Sequence, residues 1–134
     1  MNSPLEQTIS RMPATILLID DNAVQAATRQ TILKRAGYFV IAALNPTRAL
    51  DQIGAGEFPA EIGLVITDHV MPGMNGVELA IQVKAVAPQC KMLIFSGQED
   101  SQRLIEKARE RGYDLTLVLK PIHPTKMVEL IRGL

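Results

Sequence analysis

The sequence has very little cysteine and no excess charge of either sign, and both absences exclude classes of protein. Cys90 is the only cysteine, which excludes a disulfide framework within the chain and a metal cluster held by several thiolates. The 14 basic and 14 acidic side chains cancel, so the chain has no electrostatic footprint for nucleic acid or an anionic membrane. We therefore expect no nucleic-acid binding by this chain alone, and a reducing, cytoplasmic location.

Long apolar runs and targeting signals are also missing. No run approaches the length of a membrane span. Residues 1–13 mix polar and charged side chains and contain no apolar segment of signal-peptide length. A chain of 134 residues with 47% hydrophobic and 21% charged side chains is typical of one globular domain. We expect an N-terminal arm over residues 1–13, one domain over residues 14–134, and no membrane partner.

Continuous apolar runs that end at polar side chains recur along the chain. The run at residues 64–66 is followed by Thr67 and Asp68, and turn-forming residues then follow in the sequence MPGMNG at 71–76. A run without polar alternation is typical of a strand buried on both faces of a parallel sheet. On this basis and on β-branched content, strands are predicted over residues 15–19, 38–43, 64–68, 91–95 and 115–119.

Segments with helical spacing separate these strands. The first follows a cap at Asn22 and contains apolar residues at helical spacing, namely Val24, Ala27, Ile32 and Leu33. The others begin near Pro46 and Val77, contain Leu104, Ile105 and Ala108 on one face, and end the chain with Met127, Val128, Leu130 and Ile131. Strict alternation of strands and helices predicts a parallel sheet with helices on both faces. All strand carboxyl ends then lie at one edge of the sheet.

Five polar side chains follow the ends of four different strands, and together they predict chemistry at that edge. Three carboxylates would repel one another unless a cation compensates, and Mg²⁺ prefers carboxylate oxygens and water. A carboxylate can attack phosphorus to give an acyl phosphate, while a lysine and a hydroxyl stabilise the phosphoryl oxygens. The five side chains are Asp20, Asp21, Asp68, Ser96 and Lys120.

In combination, these features resemble the receiver domain of two-component response regulators. The matching features are the acidic pair, the aspartate before MPGMNG, the Ser-Gly at 96–97 and the Lys-Pro at 120–121, in that order. The resemblance covers residues 14–134 and is closest to single-domain, chemotaxis-type regulators. It implies a flavodoxin-like, doubly wound sheet of five parallel strands in the order 2-1-3-4-5, with five helices.

The resemblance also implies a role for each residue. Asp68 is the phosphoacceptor, and it receives the group from a phosphohistidine on a sensor histidine kinase or a histidine phosphotransfer protein. The chain assists its own phosphorylation and dephosphorylation without being a conventional enzyme. Mg²⁺, with Mn²⁺ as a substitute, is held by Asp20, Asp21, Asp68 and the backbone carbonyl of Val70. Ser96 and Lys120 contact the phosphoryl group, and Pro121 is a candidate for a cis peptide bond.

Two departures from the family pattern concern the switch. The family usually has Tyr or Phe three residues before the lysine, where this chain has Leu117. The stretch from Gly112 to Lys120 is also one residue longer than usual. Both departures place the aromatic part of the switch, and the surface that reports activation, in question.

Other functions are compatible with parts of the pattern. A pseudo-receiver would act as an interaction module without phosphorylation, which the leucine at 117 favours and the intact acidic pair disfavours. A phosphohydrolase would have Asp-x-Asp after its first strand, whereas Asp20 and Asp21 are contiguous. A nucleotide or flavin site would need a glycine-rich phosphate loop. We expect a monomer or weak dimer that signals through an unidentified protein target.

Isolated residues in the sequence have simpler interpretations. His69 is expected to point away from Asp68, and His123 to act as a turn or capping residue. Met71 and Met74 are expected to pack locally. Cys90 is expected to be a small, inert side chain at the start of a strand.

Overall fold

The computed structural model describes residues 15–58, 61–97 and 100–134, which form strands and helices in strict alternation. The N-terminal arm expected over residues 1–13 lies outside this part. No helix within the described residues is both long and apolar enough to cross a membrane. The strands are β1 (Ile16–Ile19), β2 (Val40–Ala43), β3 (Leu64–Asp68), β4 (Lys91–Ser96) and β5 (Leu115–Leu119). The helices are α1 (Ala23–Arg35), α2 (Pro46–Gly54), α3 (Gly76–Val86), α4 (Asp100–Glu110) and α5 (Pro124–Arg132).

The strands form one parallel sheet in the order β2-β1-β3-β4-β5, which confirms the predicted architecture. The register sets Ile19 beside Thr67, and Asp68 beside Phe95. One strand further along, Ser96 lies beside Leu119. The carboxyl ends of neighbouring strands are therefore level, and the residues that follow them share one edge.

Alternate residues of each strand serve two separate cores. In β1, Ile16 and Leu18 pack on one face and Leu17 and Ile19 on the other, and all four are inaccessible to solvent. Helices α2, α3 and α4 cover the face of Leu17, whereas α1 and α5 cover the face of Leu18. Since both faces are buried, the runs at 16–19, 64–66 and 92–95 in β1, β3 and β4 contain only apolar residues.

Asparagine caps fix the starts of three helices. The side chains of Asn22, Asn45 and Asn75 accept hydrogen bonds from the backbone N–H three residues ahead, at 3.0, 3.0 and 2.8 Å. A cap of this kind stabilises a helix by about 1 kcal/mol. The predicted cap at Asn22 is confirmed, and Pro46 occupies the first turn of α2 as expected. The caps of α1 and α3 determine where the chain leaves the sheet edge after β1 and after the turn that follows β3.

Of the four apolar residues predicted for α1, Ile32 and Leu33 pack against the core and the other two do not. Val24 is 78% exposed and Ala27 is also exposed, although their spacing predicted an inward face. The residues that face the sheet are Ala26 and Leu33, seven positions apart and therefore on one side of the helix. Val24 is two positions from Ala26, about 200° of helical rotation away. With Ala26 and Leu33 facing the sheet, the side chain of Arg29 is directed toward the carboxyl edge of the sheet.

The predicted inward face of α4 is confirmed except for one residue. In α4, Ile105 and Ala108 are buried but Leu104 is 39% exposed. Consecutive helical residues differ by about 100° in direction, and Leu104 lies at the edge of the face on which Ile105 is buried. In α3, Val83 is buried but Val86, the last residue of the helix, is 51% exposed.

Gly76 allows α3 to begin in close contact with the end of β3. Its N–H donates a hydrogen bond of 2.8 Å to the carbonyl of His69, which closes the turn formed by residues 70–75. A β-carbon added at Gly76 would lie 2.7 Å from the carbonyl oxygen of Asp68 and 2.9 Å from the α-carbon of His69. Only glycine permits such an approach of helix to strand without a backbone shift.

We expect Gly76→Ala to lower the free energy of unfolding by about 1–3 kcal/mol, because the added methyl group overpacks the strand end. Urea denaturation measures the effect. Gly54→Ala is the matched control, since a β-carbon there meets nothing within 4 Å. The control should be neutral or stabilising by up to about 1 kcal/mol. Equal midpoints for the two variants would contradict the assigned role of Gly76.

Candidate functional site

Asp68, the last residue of β3, lies at the centre of the carboxyl edge and is only 5% exposed. Its Oδ1 atom lies 2.7 Å from Nζ of Lys120 and 3.1 Å from Nη1 of Arg29. Its Oδ2 atom accepts a hydrogen bond of 2.9 Å from the side-chain amide of Gln25. Both carboxylate oxygens therefore have protein donors, two of which are cationic.

Asp20 follows β1 and is completely buried. Its Oδ1 atom accepts a hydrogen bond of 2.9 Å from the backbone N–H of Asn22, and its Oδ2 atom lies 3.5 Å from Nη1 of Arg29. Burial raises the pKa of Asp20 to about 6, and the nearby charge of Asp68 acts in the same direction. The Asn22 N–H and the Arg29 guanidinium offset part of this rise.

Arg29 and Gln25 belong to the site although the sequence analysis did not select them. They are four positions apart in α1, on the face turned toward the sheet edge. The guanidinium carbon of Arg29 lies 4.5 Å from the centre of the Phe95 ring, a distance at which a cation and a ring attract. The sequence signal that could have identified them is a pair of long polar side chains one turn apart, on the helix that follows the acidic pair.

Two carboxylates converge on a single positive centre. Oδ2 of Asp20 and Oδ1 of Asp68 both lie within 3.5 Å of the same nitrogen of Arg29. Oxygen atoms arranged around one positive charge suit a hard divalent cation, which takes its remaining ligands from carbonyls and water. The donor set of this edge therefore fits Mg²⁺.

The other two predicted metal ligands lie at the surface. Asp21 is exposed, and Val70, whose backbone carbonyl was predicted as a ligand, is 62% exposed. Within residues 15–58, 61–97 and 100–134, no three His, Cys, Asp or Glu side chains are grouped around a metal position. The described structure thus brings Asp20 and Asp68 together and leaves Asp21 at the rim.

The ends of β4 and β5 bring the remaining predicted residues to the same edge. Ser96 is 2% exposed, and its carbonyl accepts a hydrogen bond of 2.8 Å from the backbone N–H of Lys120. The peptide bond between Lys120 and Pro121 is cis. Leu117, at the position where the family has an aromatic residue, pairs with Ile94 and is half-buried against the core beneath α3 and α4.

The structure also places the residues that were interpreted one by one, His69, His123 and Cys90. His69 is buried beside the acceptor, burial lowers its pKa, and its Nδ1 atom has no hydrogen-bond partner among the described residues. His123 caps α5, which confirms the prediction, by accepting a hydrogen bond of 3.2 Å from the N–H of Thr125. Cys90 is buried just before β4, and its thiol donates to the carbonyl of Ile62.

Comparison with known proteins gives one consistent result. The family model for the response regulator receiver domain matches residues 16–132. The two-component response regulator ORR6 of Oryza sativa subsp. japonica is 32% identical over 117 residues, covering 86% of this chain and 67% of that protein. The C4-dicarboxylate transport transcriptional regulatory protein of Rhizobium meliloti is 31% identical over 92% of this chain, but over only 25% of its own length.

A solved structure agrees with the sequence matches. The crystal structure of a response regulator receiver domain protein from Clostridium thermocellum superimposes with a TM-score of 0.77 at 25% identity. The superposition covers 90% of this chain and 92% of that one.

The raised pKa of Asp20 predicts how stability depends on pH in metal-free solution. Because the folded pKa of about 6 exceeds the ordinary value of 3.8, the native state binds more protons between these values. Stability should therefore fall as pH rises from 4 to 6 and level off above. Asp20→Asn should remove this dependence and raise the free energy of unfolding at pH 7.5 by about 1–3 kcal/mol.

Urea denaturation in EDTA at several pH values tests this prediction. Asp21→Asn is the matched control, because Asp21 is exposed and its loss should change stability by less than about 0.5 kcal/mol. An Asp20→Asn variant that is less stable than wild type at pH 7.5 would show that the Asp20 charge is stabilising, contrary to the prediction.

Proposed function

The chain belongs to the response regulator receiver domain family, and from that premise we propose that it accepts a phosphoryl group on Asp68 from a phosphohistidine in a Mg²⁺-dependent reaction. The observation that carries the proposal is the contact of 2.7 Å between Lys120 and the Asp68 carboxylate, at the edge where Asp20 also converges. This arrangement combines a nucleophile with a cation that can stabilise developing negative charge.

The proposed step is a displacement at phosphorus. An Oδ atom of Asp68 forms a bond to phosphorus while the bond between phosphorus and the donor imidazole nitrogen breaks, and that nitrogen takes up a proton. The product is an acyl phosphate on Asp68. Lys120 would turn from the carboxylate to a phosphoryl oxygen, and Ser96, buried at the end of β4, would contact another.

A divalent cation completes the proposed site. Asp20, Asp21, Asp68 and the backbone carbonyl of Val70 would hold Mg²⁺, or Mn²⁺ in its place. The ion, when bound, neutralises negative charge on the phosphoryl oxygens and aligns them for attack. Hydrolysis of the acyl phosphate uses the same residues, so we propose that the chain assists its own phosphorylation and dephosphorylation without being a conventional enzyme.

The partners follow from this chemistry. A sensor histidine kinase or a histidine phosphotransfer protein would supply the phosphoryl group in the cytoplasm, and a downstream protein would bind the phosphorylated form. The chain spans about two thirds of one curated relative and a quarter of another, so the output of the complete protein is a separate question. A pseudo-receiver has less support, because Lys120 contacts the Asp68 carboxylate and Asp20 shares the Arg29 guanidinium with it.

Incubation with acetyl phosphate or phosphoramidate and Mg²⁺ should increase the intact mass by one phosphoryl group. Asp68→Asn should abolish the increase, since an amide cannot form the acyl phosphate. Asp51→Asn, a change at an exposed aspartate of α2, should leave it unchanged. A magnesium-dependent gain that persists in Asp68→Asn would assign the acceptor to another residue, and no gain in wild type would favour the pseudo-receiver.

Lys120→Met should slow phosphorylation of Asp68 by about 10²–10³-fold, because one preorganised cationic donor to the phosphoryl oxygens is lost. The rate is measured from the time course of the mass increase. Lys126→Met is the control, since Lys126 is 73% exposed and pairs only with Glu129 among the described salt bridges. Equal rates for the two variants would exclude a catalytic role for Lys120.

A further inference from the structure

Arg29 occupies the position between Asp20 and Asp68 that a divalent cation would need. Its Nη1 atom lies 3.5 Å from Oδ2 of Asp20 and 3.1 Å from Oδ1 of Asp68. Its side chain is only 12% exposed and stacks on Phe95. The guanidinium is therefore fixed by contacts with Asp20, Asp68 and Phe95, unlike that of an arginine exposed to solvent.

The charges of the two buried carboxylates are balanced without a metal. The two buried carboxylates of Asp20 and Asp68 carry two negative charges, and Arg29 and Lys120 carry two positive charges. A divalent ion added to this arrangement would meet a guanidinium at contact distance from both of its principal ligands. Like charges in a poorly solvated site repel strongly, so the ion and the docked guanidinium cannot occupy the site together.

A neighbouring cleft can receive the displaced side chain. It measures about 400 Å³, lies between α1 and α5, and Arg29 is already part of its wall. Its other lining residues include Thr28, Ile32, Ile122 and Met127. A rotation of the Arg29 side chain toward this cleft would keep its aliphatic part packed and return its charge to solvent.

From these observations we propose that Arg29 is a built-in competitor of the divalent cation, which closes the acidic site in the metal-free protein and must leave before Mg²⁺ binds. The inference rests on the proposed function, because the competing ion is the one that phosphorylation requires. The competition lowers the apparent affinity of the site for the divalent cation. If the site is open for only a fraction of the time, the apparent dissociation constant is the intrinsic one divided by that fraction.

The direct test is calorimetric titration of the full chain with MgCl₂ and with MnCl₂, without any phosphodonor. Arg29→Met removes the charge but keeps a long apolar side chain against Phe95, and it should bind both ions about tenfold more tightly than wild type. Arg35→Met is the matched control, because Arg35 lies in the last turn of the same helix and is exposed. The control should bind as wild type does.

Thermal unfolding supplies a second readout. In EDTA, Arg29→Met should melt at a lower temperature than wild type, because its two carboxylates lose a shared cation. Saturating Mg²⁺ should raise the melting temperature of Arg29→Met by more than it raises that of wild type.

A third measurement observes the displacement itself and needs no destabilising variant. In ¹⁵N-labelled wild type, the Nε–Hε resonance of Arg29, assigned with Arg29→Lys, should shift on addition of Mg²⁺ while that of Arg35 does not. An unmoved resonance at saturating metal would overturn the proposal even if Arg29→Met failed to fold.

The outcomes separate this inference from the proposed function. Metal binding that is equally tight, or weaker, in Arg29→Met than in wild type would overturn the competition while leaving the magnesium site intact. Absence of metal binding in every variant, wild type included, would overturn both the competition and the magnesium requirement.

Discussion

The structure depends on balancing two carboxylates that are almost out of contact with water. Asp20 is fully buried and Asp68 nearly so, and isolated charges in such places are strongly unfavourable. The compensating cations come from elements distant in sequence, Arg29 from α1 and Lys120 from the end of β5. Charge balance therefore ties the first helix and the last strand to the centre of the sheet. Burial still raises the pKa of Asp20, because this carboxylate is withdrawn from water, while the Asn22 N–H and Arg29 offset part of the rise.

The backbone holds these charges in fixed positions. At three strand ends, the hydrogen-bond ladder continues one residue past the strand. The N–H of Asp20 donates to Ala43, that of His69 to Phe95 and that of Lys120 to Ser96, at 3.0, 2.9 and 2.8 Å. These bonds restrict the backbone where side-chain direction matters most. Together with the close approach of α3 to β3 at Gly76, these bonds fix the backbone positions from which the side chains of the site extend.

The sequence could predict features that depend on local pattern. Uninterrupted apolar runs identified the strands, Asn22 identified the start of α1, and the residues at strand ends identified most of the site. The strand order came from family resemblance. The exposure of Asp21 could not be predicted from the pair itself, since consecutive residues at a strand end point in opposite directions and only Asp20 is buried beside Asp68. Arg29 was beyond prediction, because its reach depends on the rotation of α1. The apolar residues predicted for that helix fixed this rotation only in part, since Leu33 is buried but Val24 is exposed. The place that a long helical side chain reaches depends on how the helix packs against the sheet, and no local sequence pattern specifies that packing.

The leucine at 117 limits how a change at Asp68 can be transmitted. A leucine offers no hydrogen-bonding group and only dispersion contacts, and Leu117 is packed beside Ile94 against the core under α3 and α4. An aromatic ring that exchanges between an outward and an inward position is therefore absent at this place. Transmission needs an element with two arrangements. Among the side chains that contact the acceptor, Arg29 and Gln25 belong to α1, and Lys120 follows a strand end with its side chain 35% exposed. Its backbone is bonded to Ser96, so movement of Lys120 acts on the ends of β4 and β5 together. Under the proposed function, a change at Asp68 would reach α4 and β5 through these two strand ends.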